Sequence, residues 1–493
     1  MIRCAIALPI TLLVSGCTVG PDYKRPIVPV PKQWTEPAKD KRAGLPLPRA
    51  YEAHPDQWWQ TFNDPELNRL ITDAIAANLD LKQALVRVKD ARAQRWVTIT
   101  AGLPSITGQG NASRRFNNIN TTSQTTGTPT TSGGFGVGDQ LINIFQLGLN
   151  AQWDLDFFGG VRRAIEAADA NVGSEIENSR GVLTNLLGDV ASNYITLRAN
   201  QQLIAITRDN FNSQQETAKL TQIRQQAGFA SMLEVAQAQS QAAATEAFLP
   251  VYETVVKQSI HAISVLLGRD PGALTFPLDR SGAIPAIATI PIPDLPSELL
   301  LRRPDIRHAE RQIAAANANV GVATAELYPR VNLSAFLGLQ NTQITDFTPI
   351  GKSWSTASSL TLPIVNWGRI NANIKSKKAQ FDLAFLSYQS TVLNAFKEVE
   401  NALIAYSKEQ QRYKSLAQAV AASQLAVQMA DERYHRGLTT FLDVLQTQQA
   451  LFQTQRNLVD SEALLSTDMV VLYKALGGGW QTEAIVSDAE LQK

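Results

Sequence analysis

Cysteine and histidine are scarce in this 493-residue chain, with two of the former and four of the latter. That excludes a disulfide scaffold and a Cys/His metal centre. His54, His261, His308 and His435 are scattered, with no pair at ligand spacing. Charge is also thin: 18% of residues are charged and the net charge is +1, which removes any case for a nucleic-acid partner. Past the first residues no apolar run reaches the roughly 20 residues a membrane helix needs, so a span of the bilayer would have to be made of strands. Phosphate loops, dinucleotide fingerprints and nucleophile elbows are absent, and Gly477-Gly478-Gly479 reads as a helix cap and linker. No catalytic constellation emerges and no cofactor is called for. What remains is a chain rich in Ala, Gln, Leu, Ser, Thr and Asn, which suits a wall wetted on one side.

The N-terminus reads as a processing signal over residues 1–16. Arg3 is its positive end, Ala5 to Val14 its apolar segment and Val14-Ser15-Gly16 its small-residue cleavage site. Val-Ser-Gly-Cys resembles the bacterial lipobox, which implies N-acyl and S-diacylglycerol lipid on Cys17. Thr18, rather than Asp, follows it and favours outer-membrane delivery. An ordinary secretory signal with a chance cysteine is the alternative. Cys4 leaves with the signal, so no disulfide can form within the mature chain. Residues 17–57 are Pro- and Lys-rich and read as an extended tether.

A duplication organises the rest. Gly228 falls on Gly437 at an offset of 209, and at the same offset Phe158-Gly159 falls on Trp367-Gly368 and Leu267-Gly268 on Leu476-Gly477. Leu183, Val190, Leu197, Ile204, Phe211 and Ala218 repeat every seven residues, as do Val392, Val399, Tyr406, Tyr413, Val420 and Val427. Such a stripe predicts coiled-coil helices, turned back at Gly228 and Gly437. Residues 161–268 and 370–477 are therefore two long helical hairpins, with arms of about 60 residues and roughly 90 Å. Pro250, opposite Val459, should kink only the first hairpin's return arm.

Each hairpin follows a shorter helical stretch and a strand pair. Asp64-Pro65 should cap a first helix, with further helical periodicity from Leu81 to about Ala101. Strands are predicted at about 104–116 and 144–155, then at about 329–340 and 354–364. Phe145, Leu147, Leu149, Ala151, Trp153 and Leu155 alternate with polar residues in the clearest of them. Residues 117–143 read as an exposed loop. Repeat 1 thus spans 58–268 and repeat 2 293–477, with a linker at 269–292 and a tail at 478–493. Strands of about 11 residues with Trp and Phe at their ends suit a bilayer, although a soluble antiparallel sheet with one buried face shows the same pattern. Four strands cannot close a barrel, and an open edge cannot sit in lipid. The chain must then oligomerise; two copies would give a filled barrel of eight strands, three a hollow one of twelve.

The informative polar residues lie at the hairpin turns, where Arg224, Gly228, Ser231 and Glu234 correspond to Arg433, Gly437, Thr440 and Asp443. If hairpins converge, Glu234 and Asp443 form an acidic ring able to hold a narrow end shut. They could equally do no more than begin the return helices, where negative charge is favourable.

With these elements in place, Cys17-Thr18-Val19-Gly20-Pro21-Asp22-Tyr23, Leu301-Arg302-Arg303-Pro304-Asp305-Ile306, Tyr328-Pro329, Trp367-Gly368-Arg369 and Arg433-Tyr434-x-x-Gly437 carry a resemblance. The chain resembles the TolC family of outer-membrane factors, in its lipoprotein branch of OprM- and NodT-type multidrug efflux channels. The resemblance implies an α+β membrane protein, four transmembrane strands and two hairpins per protomer, and a homotrimer with a twelve-stranded barrel and a periplasmic α-helical tunnel. It also implies a periplasmic adaptor, an inner-membrane RND-type pump, and closure of the tunnel by residues matching Tyr434, Glu234 and Asp443. Gln446 and Thr439 depart from the lock of some relatives. A protein-secretion duct of the same fold is one alternative. A periplasmic adaptor lipoprotein is another, but it would have one hairpin and no duplicated strand pairs.

Overall fold

The computed structural model describes residues 18–31, 34, 55–117, 140–286, 296–344 and 352–480. The predicted signal, Cys17 and the tail beyond Trp480 lie outside the described residues. The chain divides into two compact units. One combines Met1–Lys24, Ala91–Val172 and Gln312–Ala384, the other Arg25–Asp90, Gly173–Arg311 and Phe385–Lys493.

The first unit contains a four-stranded antiparallel meander in the order β1 (Ser105–Asn117), β2 (Gln140–Leu155), β3 (Arg330–Asn341), β4 (Lys352–Thr361). Strand β2 of repeat 1 pairs with β3 of repeat 2, so the sheet joins the duplicated halves. Register places Leu147, Leu149, Ala151 and Trp153 beside Leu339, Leu337, Ala335 and Leu333, with Trp354 next to Leu337. Across β2 and β3 one face is therefore apolar, with Trp354 of β4 beside it, and it is exposed: Leu149 at 53%, Leu337 at 66% and Trp354 at 72%. An apolar face of this kind left to solvent marks a surface meant for lipid or for a partner. The other face carries Asn150, Gln152 and Asp154 against Phe336, Ser334 and Asn332, with Asn332 donating to Asp154 at 2.6 Å.

Two strand limits differ from the alternation. Strand β2 begins at Gln140, inside the tract read as loop, because Asn143 to Gln140 complete the ladder against Arg114 to Asn117 without apolar–polar alternation. Strand β4 stops at Thr361 rather than near 364, where Pro363 has no N–H for the ladder. No described helix is long and apolar enough to cross a membrane.

The helices follow the duplication closely. α1 is Pro65–Ala77, α2 Leu79–Thr100, α7 Pro296–Arg302 and α8 Pro304–Ala325, so α8 and α2 start and stop 225 residues apart. Asp64 caps α1, accepting from the Glu66 and Leu67 amides at 2.9 and 3.0 Å while its second oxygen accepts from the Tyr194 hydroxyl at 2.8 Å. The first hairpin is α3 (Gly160–Gln226) and a return arm split into α4 (Met232–Glu246) and α5 (Leu249–Leu266); the second is α9 (Trp367–His435) and the unbroken α10 (Phe441–Ala475). Pro250 explains the split, since its ring meets the carbonyl four residues back, at Glu246, where α4 ends. Arg456 of α10 lies over the Phe248 ring at the break, 4.3 Å from its centroid. A short α6 (Thr275–Leu278) interrupts the linker, and Leu278 accepts from the buried Gln201 at 2.7 Å.

The second unit's core gathers Trp58, Leu67, Leu70, Ile71, Leu187, Ile195, Leu197, Ile260, Ile263 and Tyr473, with Trp58 stacked on Tyr473 at 5.3 Å. Arg303 of the Arg-Arg-Pro-Asp motif is nearly buried. It pairs with Asp305 and Glu398 at 2.6 and 2.7 Å and donates to the Ala475 carbonyl at 2.9 Å, which caps the end of α10.

Candidate gate at the hairpin turns

Both hairpins turn by the same local chemistry. Glycine with positive φ ends each outgoing helix, at Gly228 (79°) and Gly437 (72°). The Gly228 amide donates to Gln225 O and the Phe229 amide to Arg224 O; Gly437 and Leu438 do the same to Tyr434 and Arg433. These are Schellman closures, which need a left-handed residue at that one position. Each return helix then opens with a capping box, Ser231 with Glu234 and Thr440 with Asp443. Glu234 accepts from the Ser231 amide at 3.2 Å, and Asp443 from the Thr440 amide at 3.1 Å. Hydrogen bonds from Thr439 and Thr440 hold the exposed Asp443 carboxyl below the usual carboxylate range. Thr439, one of the two departures from the family lock, thus has a role here as a donor.

The turns differ in what they bury. Tyr434 is 6% and Phe441 1% exposed, and their rings meet at 5.4 Å against Ala218 of α3, Ala238 of α4 and Val444. Arg224 lies over the Tyr434 ring at 4.5 Å. Burial pushes the Tyr434 hydroxyl up, and Arg224 partly opposes this. In the first hairpin Met232, which matches Phe441, is 66% exposed, and Gln225 stands where Tyr434 stands in the second. Of the residues singled out from sequence, Arg224, Tyr434 and the two capping carboxylates fall within this pair of turns. Arg433 stays exposed, with its charge felt by Asp443.

Sequence reasoning missed Phe441, hidden opposite Met232 in the repeat. It also missed a buried polar stripe on α3, where Thr207, Gln214 and Thr221 stand seven apart, each three residues after an apolar heptad position. That spacing was the available signal. Here α3 meets α10 through hydrogen bonds, Asn210 to Gln455 at 2.8 Å and Gln448 to Thr217 at 3.3 Å. Among the described residues no group of three His, Cys, Asp or Glu could hold a metal ion.

The family described as Outer membrane efflux protein matches residues 70–269 and 295–478. Nodulation protein T of Rhizobium leguminosarum bv. viciae is 32% identical over 489 residues, covering 99% of this chain and 95% of its own. The solvent efflux pump outer membrane protein SrpC of Pseudomonas putida is 32% identical over 474 residues, covering 95% and 97%. Among solved structures, the outer-membrane channel OprN superposes with a TM-score of 0.84 at 34% identity, over 94% of this chain and all of that one. The chain belongs to the outer membrane efflux protein family, and it is an outer-membrane channel component of an efflux pump.

Proposed function

We propose that the chain acts as a homotrimeric exit duct, closed at rest by its hairpin turns. It passes small toxic compounds delivered by an inner-membrane RND-type pump through a periplasmic adaptor. The observation that carries the assembly is the sheet: β1 and β4 are its edges, and its apolar face is exposed. Strand edges cannot face hydrocarbon, so neighbouring copies must pair β4 with β1, and three copies make a twelve-stranded barrel with room for a lumen. Solvent and toluene pumps among the relatives support small apolar cargo. The duct does no chemistry on its cargo and uses no cofactor; covalent lipid on Cys17 anchors it.

At the tip, the acidic Glu234 and Asp443 of several copies converge, with Arg224 and Tyr434 stacked behind them and Arg433 close by. Capping and gating are compatible, because a carboxylate that accepts from backbone amides still presents negative charge to the axis. The test is single-channel conductance in planar bilayers before and after Glu234→Ala with Asp443→Ala. Small openings that grow in the double mutant support the gate. A large conductance indifferent to both substitutions removes the gate and keeps the duct, and absence of conductance from inserted oligomer removes the duct.

A further inference from the structure

Residues 18–23 were expected to belong to a tether, yet they lie in a built groove of the first unit. Arg163, only 4% exposed, reaches three points of the segment. Its Nε donates to Val19 O at 3.1 Å, and one terminal nitrogen to Gly20 O at 3.3 Å and Asp22 Oδ1 at 2.7 Å. The other terminal nitrogen is held by Glu166 at 2.7 Å, which fixes the fork. Asn317, buried on α8, donates to Pro21 O at 2.9 Å, and the Val19 amide donates to Phe158 O at 3.1 Å. Tyr23 packs against Ala170, Ala314 and Ala315.

The backbones approach closely enough to require glycine. A Cβ on Gly20 would lie 2.5 Å from Gly321 Cα, one on Gly321 2.8 Å from Arg163 Cγ, and one on Gly159 2.9 Å from Thr18 Cα. The repeat relation shows that this groove occurs once. At offset 209 Arg163 matches Ala372, and at offset 225 Asn317 matches Arg92 and Gly321 matches Trp96. The duplicated scaffold was changed at the three positions that hold the segment.

We infer that Arg163, Asn317 and Gly321 form a recognition groove whose resident ligand is the segment Thr18–Tyr23, and that docking converts the N-terminal lipid from a leash into a fixed anchor. The lipid part rests on the reading of Cys17 given above; the groove does not. Cys17 stands one residue before Thr18, and Val19 is bonded to Phe158, three residues beyond the end of β2. Thr18, the residue from which such an anchor would hang, is thus held at the foot of the sheet. Charged guanidinium hydrogen bonds are the strong kind, and an ammonium cannot reproduce a fork that reaches two carbonyls and a carboxylate.

The test is hydrogen exchange of the full-length protein, read by mass spectrometry on the N-terminal peptide, for wild type, Arg163→Lys and Asn317→Ala. The expected result is a protected Val19 amide in wild type. Both variants should exchange about tenfold faster or more in residues 19–23, with the peptides of α3 and α8 unchanged. An unprotected Val19 amide in wild type, or the same protection in both variants, overturns the groove. If Arg163→Lys loosens the whole chain, Asn317→Ala alone decides. The mass of the same peptide tests the lipid separately. An acyl-free Cys17 on a protected segment overturns the anchor and leaves the groove standing.

Discussion

The guanidinium of Arg224, at the end of α3, covers the ring of Tyr434, at the end of α9, so the tips of the two hairpins are joined by one cation–π contact. Contacts of this type are worth about 0.5–2 kcal/mol, the upper end when desolvated. Tyr434 adds a buried ring to that contact, and its hydroxyl has at most a weak interaction with Thr221 of α3. Tyr434→Ala should therefore cost about 3 kcal/mol of stability and enlarge single-channel openings. Tyr434→Phe should change stability by less than about 1 kcal/mol and leave the openings small. Equal effects of the two substitutions would assign the closure to the hydroxyl instead of the ring.

Acid should stabilise the second hairpin over one window. Burial, with Glu409 of α9 adding to it, pushes the Asp468 carboxyl from 3.8 up to about 6. The folded chain then holds this proton more tightly than the unfolded one. Its contribution is fully present below 3.8 and is lost as the pH rises through about 6. Melting temperatures measured across that window should fall with rising pH, and Asp468→Asn should flatten the slope. An unchanged slope in the variant would remove Asp468 as its source.

Arg303 is a test of what the Arg-Arg-Pro-Asp motif is for. Its fork serves Asp305, Glu398 and the Ala475 carbonyl together, and a lysine can serve only part of that set. Arg303→Lys should cost about 2 kcal/mol or more and Arg303→Ala about 3 kcal/mol or more, read as lowered melting temperatures. Neutral substitutions would leave the motif unexplained by packing.

The break between α4 and α5 should heal when its cause is removed. Pro250→Val, which writes in the residue found at Val459, restores an amide donor and relieves the clash with Glu246 O. Exchange of the amides at 247–251 should slow to the level seen in α10. If the break persists, Arg456 and the Phe248 cluster hold it without proline.

The repeat explains why so much of the fold was legible. A heptad stripe and a recurrent Gly at C′ are local signals, so α3, α9 and their turns could be bounded from sequence to within a few residues. Strand alternation located β3 and most of β2, where one face is apolar. It failed at Gln140 to Asn143, whose pairing is decided by the partner strand. The tip was half legible. Glu234 and Asp443 could be placed as capping residues, because Ser-x-x-Glu is a local pattern. What could not be read was chemistry between residues far apart in sequence: Arg163 on Val19, Arg303 on Ala475, and the burial of Phe441 where its counterpart Met232 is exposed. These depend on tertiary placement and have no periodic signature.

The pairing of β2 with β3 has a historical consequence. Each half of the chain supplies two strands and one hairpin, and the 11-pair ladder from Phe145–Asn341 to Leu155–Val331 is the seam between halves. If three copies close the proposed barrel, an ancestor of half the length would have closed it from twice as many separate copies, each contributing two strand edges. Fusion of two copies made every second seam covalent. Each half was then free to diverge, one keeping an unbroken return arm and the other acquiring a proline, while both supply residues to the docking site for the N-terminus.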